Sequence, residues 1–136
     1  MTVYILDSSA LLRYIDNEAG AERVEELLSA CAAGKAEVRI SAVQWGEIAG
    51  NLRKRFGETQ ERRILSALLP SEAEIVSVSG ERAVRAAEIK VDRKVSYADA
   101  LVLELATSLS GHVLVTADYG FKDVVDLAQI EFLPLK

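Results

Sequence analysis

The sequence predicts an α/β domain with a mostly parallel central sheet of about five strands flanked by helices. Three observations predict it. Short β-branched runs recur along the chain, longer stretches with helical spacing separate them, and a glycine stands where several of those stretches stop. Strands that alternate with helices call for crossover connections, and therefore for parallel pairing.

The elements follow in order. Val3–Leu6 is the first strand, and Asp7 after it precedes a helix whose Leu11, Leu12, Tyr14 and Ile15 read mostly as core. Glu22–Ala33 has helical spacing through Val24, Leu27, Leu28 and Cys31 and stops at Gly34, a C′ glycine. Val38–Ser41 is the second strand. Val43–Phe56 is a long helix with apolar Trp45, Ile48, Ala49 and Leu52, ending before Gly57, and Glu58–Leu69 is another. Ile75–Val78 reads as a strand, Glu81–Val91 as a helix, and Tyr97–Leu109 as a strongly periodic helix that opens after Ser96 and closes near Gly111. Val113–Thr116 and Ile130–Leu133 are the last strands.

With 136 residues, half of them apolar, the chain can bury a core and fits one domain over residues 1–136. No apolar run approaches the ~20 residues of a membrane helix. Met1–Leu6 lacks the basic residues of a secretory signal, and the single cysteine, Cys31, has no intramolecular disulfide partner. These features set the expectation of a small cytosolic (cytoplasmic) protein.

The net charge of −5 disfavours a nucleic-acid partner at first sight, but its distribution is uneven. Residues 51–95 carry 10 basic and 7 acidic groups, whereas both flanking segments are net acidic. Arg53, Lys54 and Arg55, with Arg62 and Arg63, form one basic cluster; Arg82, Arg85, Lys90, Arg93 and Lys94 form another. Two readings fit: solvated helix faces, or a basic rim for a polyanion beside an acidic centre.

Ligands of open α/β sheets bind beyond the carboxyl ends of the strands. Asp7 directly follows the first strand and Asp118 closely follows the fourth. Glu47 lies about two turns into the helix leaving the second strand, and Asp99 lies in the first turn of the helix after Ser96. Asp7 and Asp118 also fit helix N-caps, and Ser96 with Asp99 fits a capping box. A cap cannot account for Glu47, for which the ordinary alternative is an exposed salt bridge. Carboxylates brought within a few ångströms repel one another, so they protonate or take up a cation. With no Lys or Arg next to any of the four in sequence, and no His or Cys nearby, the ligand set selects Mg²⁺, or Mn²⁺ in its place, rather than Zn²⁺. Magnesium held this way commonly binds phosphate groups, which points to phosphoester chemistry.

The segments Leu6-Asp7-Ser8-Ser9-Ala10-Leu11-Leu12, Ser41 through Glu47-Ile48, Tyr97-Ala98-Asp99-Ala100-Leu101 and Leu114-Val115-Thr116-Ala117-Asp118 with Phe121 stand in order along the chain. Together they resemble the PIN-domain ribonucleases, in particular the VapC-type toxins of toxin–antitoxin pairs, over essentially the whole chain. The resemblance implies a PIN-like fold with Asp7, Glu47, Asp99 and Asp118 as the acidic quartet. It makes Asp7 and Asp99 direct metal ligands, completed by Glu47 and Asp118, with Thr116 and Ser9 orienting carboxylates behind them. It also implies endoribonuclease activity on RNA leaving 5′-phosphate ends, a homodimer, and an antitoxin protein through which alone the complex reaches DNA. Under this reading Arg53, Lys54 and Arg55 are candidate RNA contacts, and part of the Leu11–Ile15 stripe lines a dimer or antitoxin surface.

The remaining residues and functions weigh less. His112, the only histidine, starts a strand at the edge opposite Asp118 and reads as solvated or hydrogen-bonded, so no His-dependent triad is supported. Cys31 reads as core; Trp45 and Tyr97 read as packing residues, with base stacking as the alternative. A receiver-like module or a phosphatase-like fold would need a further acid near Asp7, and Ser9 stands where a phosphatase would place it. There is no G-x-G or P-loop motif. A catalytically silent PIN-like module that binds RNA or protein, and a housekeeping RNA-processing nuclease, stay open as alternatives.

Overall fold

Five runs of residues with extended propensity pair into one sheet in the computed structural model, which describes residues 1–136. They are β1 (Val3–Leu6), β2 (Glu37–Ser41), β3 (Glu74–Val76), β4 (His112–Thr116) and β5 (Gln129–Phe132). Their order is β3-β2-β1-β4-β5, and every neighbouring pair is parallel. β1 is therefore central and covered on both faces, which its uninterrupted apolar run requires. Its alternation divides the core. Leu6 joins Val38, Ile40, Val113 and Val115 on one face, while Val3 and Ile5 join Leu114 on the other.

Six helices cover those faces: α1 (Ser8–Ile15), α2 (Ala21–Ala32), α3 (Ala42–Phe56), α4 (Glu58–Leu68), α5 (Gly80–Arg93) and α6 (Tyr97–Thr107). A 3₁₀ turn spans Tyr119–Val124. Residues of α1 to α4 build the first core and α6 dominates the second. None of the helices is long and apolar enough to cross a membrane.

The expected elements are present, with small shifts at their ends that have local causes. Gly34 ends α2 at φ +73°, where its N–H donates to Cys31 O and the N–H of Lys35 donates to Ala30 O, the two bonds of a Schellman stop. The third strand ends at Val76 rather than Val78 because Val76 pairs with Ser41, the last residue of β2 before the chain turns into α3, which leaves residues 77 and 78 no strand to pair with. α6 stops at Thr107 rather than Leu109, because the hydroxyls of Thr107 and Ser108 donate to the carbonyls of Leu103, Glu104 and Leu105.

α6 is buried over Ala100–Ala106, including Glu104. That carboxylate accepts from Arg82 at 2.6 Å and from Arg85 at 3.1 Å, which ties α5 to α6. Arg82→Met leaves a buried carboxylate with one half-exposed partner. It is expected to lower stability by about 1–3 kcal/mol, read as a lower urea midpoint at unchanged slope.

Candidate functional site

Parallel register brings the carboxyl ends of β1, β2 and β4 into one row. Leu6 pairs with Val115, so Asp7 stands beside Thr116, and its N–H donates to Val115 O at 3.3 Å. On the other side Ile5 pairs with Arg39, which two residues on brings Ser41 beside Asp7.

Asp7 is 3% exposed and tightly bonded. Its Oδ1 accepts from Ser9 Oγ at 2.7 Å and from the Ala10 N–H at 2.9 Å, and its Oδ2 accepts from Thr116 Oγ1 at 2.5 Å. The two hydroxyls are oriented in turn. Ser9 Oγ accepts from the Ala117 N–H and Thr116 Oγ1 from the Asp118 N–H, each at 2.9 Å, so their single protons point to Asp7. Oδ2 thus keeps a lone pair free of protein donors.

The capping readings are realised for Asp7 and Asp118, and by one of its two bonds for the box at Ser96. Asp7 caps α1 through Ala10, Asp118 caps the 3₁₀ turn through the Gly120 N–H at 2.8 Å, and the Asp99 N–H donates to Ser96 Oγ at 3.2 Å. Glu47, inside α3, has no such role. A salt bridge does not account for it either, because none of the chain's ion pairs uses Asp7, Glu47, Asp99 or Asp118.

The electrostatics show that the acids sense one another. Burial raises the Asp7 carboxyl from 3.8 to about 6, against the pull of Thr116, Ser9 and Ala10, and the Asp118 charge adds to the rise. Burial likewise raises Asp99, with a further push from Asp118, and raises Glu47, with a push from Asp99. Repulsion therefore links all four acids, from Asp7 through Asp118 and Asp99 to Glu47. They do not close into a tight cluster: no three acids already converge as ligands would around an ion. One oxygen of each, Asp7 Oδ1 and Asp118 Oδ1, is turned to its own capping bond. The donor set nevertheless fits a hard divalent cation. It is all carboxylate and without a cationic partner, and beside it the buried Ser41 hydroxyl has no hydrogen-bond partner.

The basic cluster sits elsewhere. α3 leaves the sheet edge at Ala42, so residues 53–55 lie about 9–12 Å farther along its axis than Glu47. Arg53 is paired with Glu61 and Glu58. Arg55 is paired with Asp16, the C-cap of α1 at the opposite end of that helix from Asp7. Of the three, Lys54 alone has no ion pair. In this structure Arg53 and Arg55 are turned toward carboxylates.

Cys31 is buried in the first core. His112 is buried rather than solvated, and its Nδ1 is 3.1 Å from Leu105 O, so that nitrogen carries the proton. Trp45 packs half-buried on the first core, and Tyr97 donates its hydroxyl to Ala83 O.

Sequence reasoning passed over Gln44. It is buried, its Oε1 accepts from the Ser8 N–H at 2.6 Å, and its Nε2 donates to Ala98 O at 3.4 Å. The signal was present: one turn before Ile48 and two before Leu52, position 44 continues the buried stripe of α3 with a polar residue.

Comparison with known proteins accords with this architecture. The PIN domain family matches over residues 4–127. No curated protein matches. Among solved structures, the chain is similar to VapBC2 from Rickettsia felis, bound to a DNA fragment from its promoter, with a TM-score of 0.76 at 19% identity, covering 98% of this chain and 100% of that one. It is similar to VapBC-1 from nontypeable Haemophilus influenzae, with a TM-score of 0.70 at 19% identity over 96% of this chain and 98% of that one. It is also similar to VapC20 from Mycobacterium tuberculosis, a Sarcin-Ricin loop cleaving toxin, with a TM-score of 0.68 at 19% identity over 89% of this chain and 94% of that one. With the family matched over nearly its whole length, the chain belongs to the PIN domain family.

Proposed function

We propose that this protein is a Mg²⁺- or Mn²⁺-dependent endoribonuclease and the toxin of a toxin–antitoxin pair. One observation carries the reading: a PIN domain holds four carboxylates linked by pairwise repulsion, none with a cationic partner, at the carboxyl edge of its sheet. Asp7 and Asp99 hold the ion directly and Glu47 and Asp118 complete its surroundings. When bound, the ion supplies positive charge beside the scissile phosphate and acidifies the attacking water.

The chain's own residues do the positioning. Ser9 and Thr116 fix the Asp7 carboxylate by donating to both oxygens, and the Asp118 N–H fixes Thr116. Burial keeps Asp7 out of bulk solvent, so its charge acts through a weakly screening medium. Support for RNA as substrate comes from the M. tuberculosis relative, described as cleaving the Sarcin-Ricin loop. Support for an antitoxin comes from the toxin–antitoxin complexes among the similar structures. The apolar cleft lined by Tyr14, Ile15, Ile64, Ala67 and Leu68 between α1 and α4 offers such a partner a face.

A second reading, a PIN module that binds without cutting, is favoured by the acids' failure to converge as three ready-made ligands. Incubation of the purified protein with RNA in Mn²⁺ and in EDTA separates the two. New 5′-phosphorylated ends are expected in Mn²⁺ alone; intact RNA under both conditions contradicts the nuclease reading.

A further inference from the structure

We propose that Gln44 is a positioning residue of the nuclease centre, whose amide sets the separation between the two helix starts that carry Asp7 and Asp99. The inference rests on the nuclease reading above. Gln44 lies three residues before Glu47 in α3, so the two side chains leave neighbouring positions of one helix. Its Oε1 accepts from the N–H of Ser8, the residue after Asp7. Its Nε2 donates to the carbonyl of Ala98, the residue before Asp99. One buried side chain therefore spans the flanks of two proposed ligands and shares its helix with a third.

Packing alone does not account for an amide here. The Ser8 N–H belongs to the first turn of α1, where no helical carbonyl can receive it. Gln44 satisfies that donor from 36 residues away. A Leu or Met at position 44 would extend the Ile48 and Leu52 stripe and bury hydrocarbon without desolvating an amide. The glutamine joins α1 to α6 through α3, a link that an apolar residue cannot make.

Gln44→Met keeps the length and removes both hydrogen bonds. The folded variant is expected to bind Mn²⁺ about tenfold more weakly by calorimetry. Its kcat for RNA should fall in parallel while KM stays within about twofold, the split that marks lost positioning rather than lost substrate binding. Hydrogen exchange at the Ser8 amide should speed up. Wild-type Mn²⁺ affinity and kcat in the folded variant overturn the role of Gln44 and leave the nuclease reading standing. A wild-type protein that neither takes up Mn²⁺ nor cuts RNA overturns that reading, and the role of Gln44 with it. Should Gln44→Met fail to fold, Ser8→Pro removes the same donor at a first helical position where proline is tolerated. It is expected to show the same loss of Mn²⁺ affinity, and unchanged affinity there overturns the proposal.

Discussion

Asp7→Asn is expected to melt at a higher temperature than the wild type in metal-free buffer near neutral pH, while no longer cutting RNA. Burial holds the Asp7 carboxyl at about 6 against an ordinary 3.8, so the folded chain binds that proton more tightly than the unfolded chain does. The sign follows. The stability this proton contributes is fully present below 3.8, falls as pH rises between 3.8 and about 6, and is gone above that. A shift of this size corresponds to about 3 kcal/mol. Asparagine never ionises. Its oxygen can accept from Ser9 and Ala10 as the carboxylate does, while its amide nitrogen donates to Thr116 Oγ1, whose own proton turns to Ser9 Oγ, 3.2 Å away. The expected gain is about 2 kcal/mol, or roughly 5–8 °C in Tm, shrinking toward zero near pH 4. Millimolar Mn²⁺ should raise the Tm of the wild type and not of the variant. A variant that melts at or below the wild type at neutral pH contradicts this account of Asp7.

Asp99→Asn isolates function from capping. The Asp99 N–H bond to Ser96 Oγ does not involve the carboxylate, and asparagine retains an oxygen that can take part in the same capping box. Stability is therefore expected to stay within about 0.5 kcal/mol of wild type. Cleavage should fall by about a thousandfold or more, because a neutral amide holds a hard cation poorly and several kcal/mol of charge stabilisation are lost. If Asp99 serves only as a capping residue, the variant cuts RNA at the wild-type rate.

The parts of the site legible in the sequence were those set by short-range rules. Asp7 and Asp118 follow the central strand and its neighbour, so the strand-end rule located both, and cap chemistry read Asp99 together with Ser96. These acids cap their helices and also repel one another along one sheet edge, which is why neither reading excluded the other. What stayed hidden depends on contacts distant in sequence. Arg55 and Asp16 are 39 residues apart, and only the packing of α3 along α1 makes them an ion pair. Nothing local marks Glu104 for burial, because its partners Arg82 and Arg85 stand 22 and 19 residues away on α5. Gln44 lies between these cases. Its burial follows from the α3 period, but its two partners become visible only once α1 and α6 are in place.

The most direct test is a calorimetric titration of the wild-type protein with Mn²⁺ at about pH 7.5 and again at about pH 5.5. Four repelling carboxylates, one of them raised to about 6, should bind the ion at the higher pH and lose affinity at the lower, releasing protons on binding near pH 6. Absence of Mn²⁺ uptake at the higher pH, or uptake that Asp7→Asn leaves unchanged, would contradict the claim that these acids form a cation site.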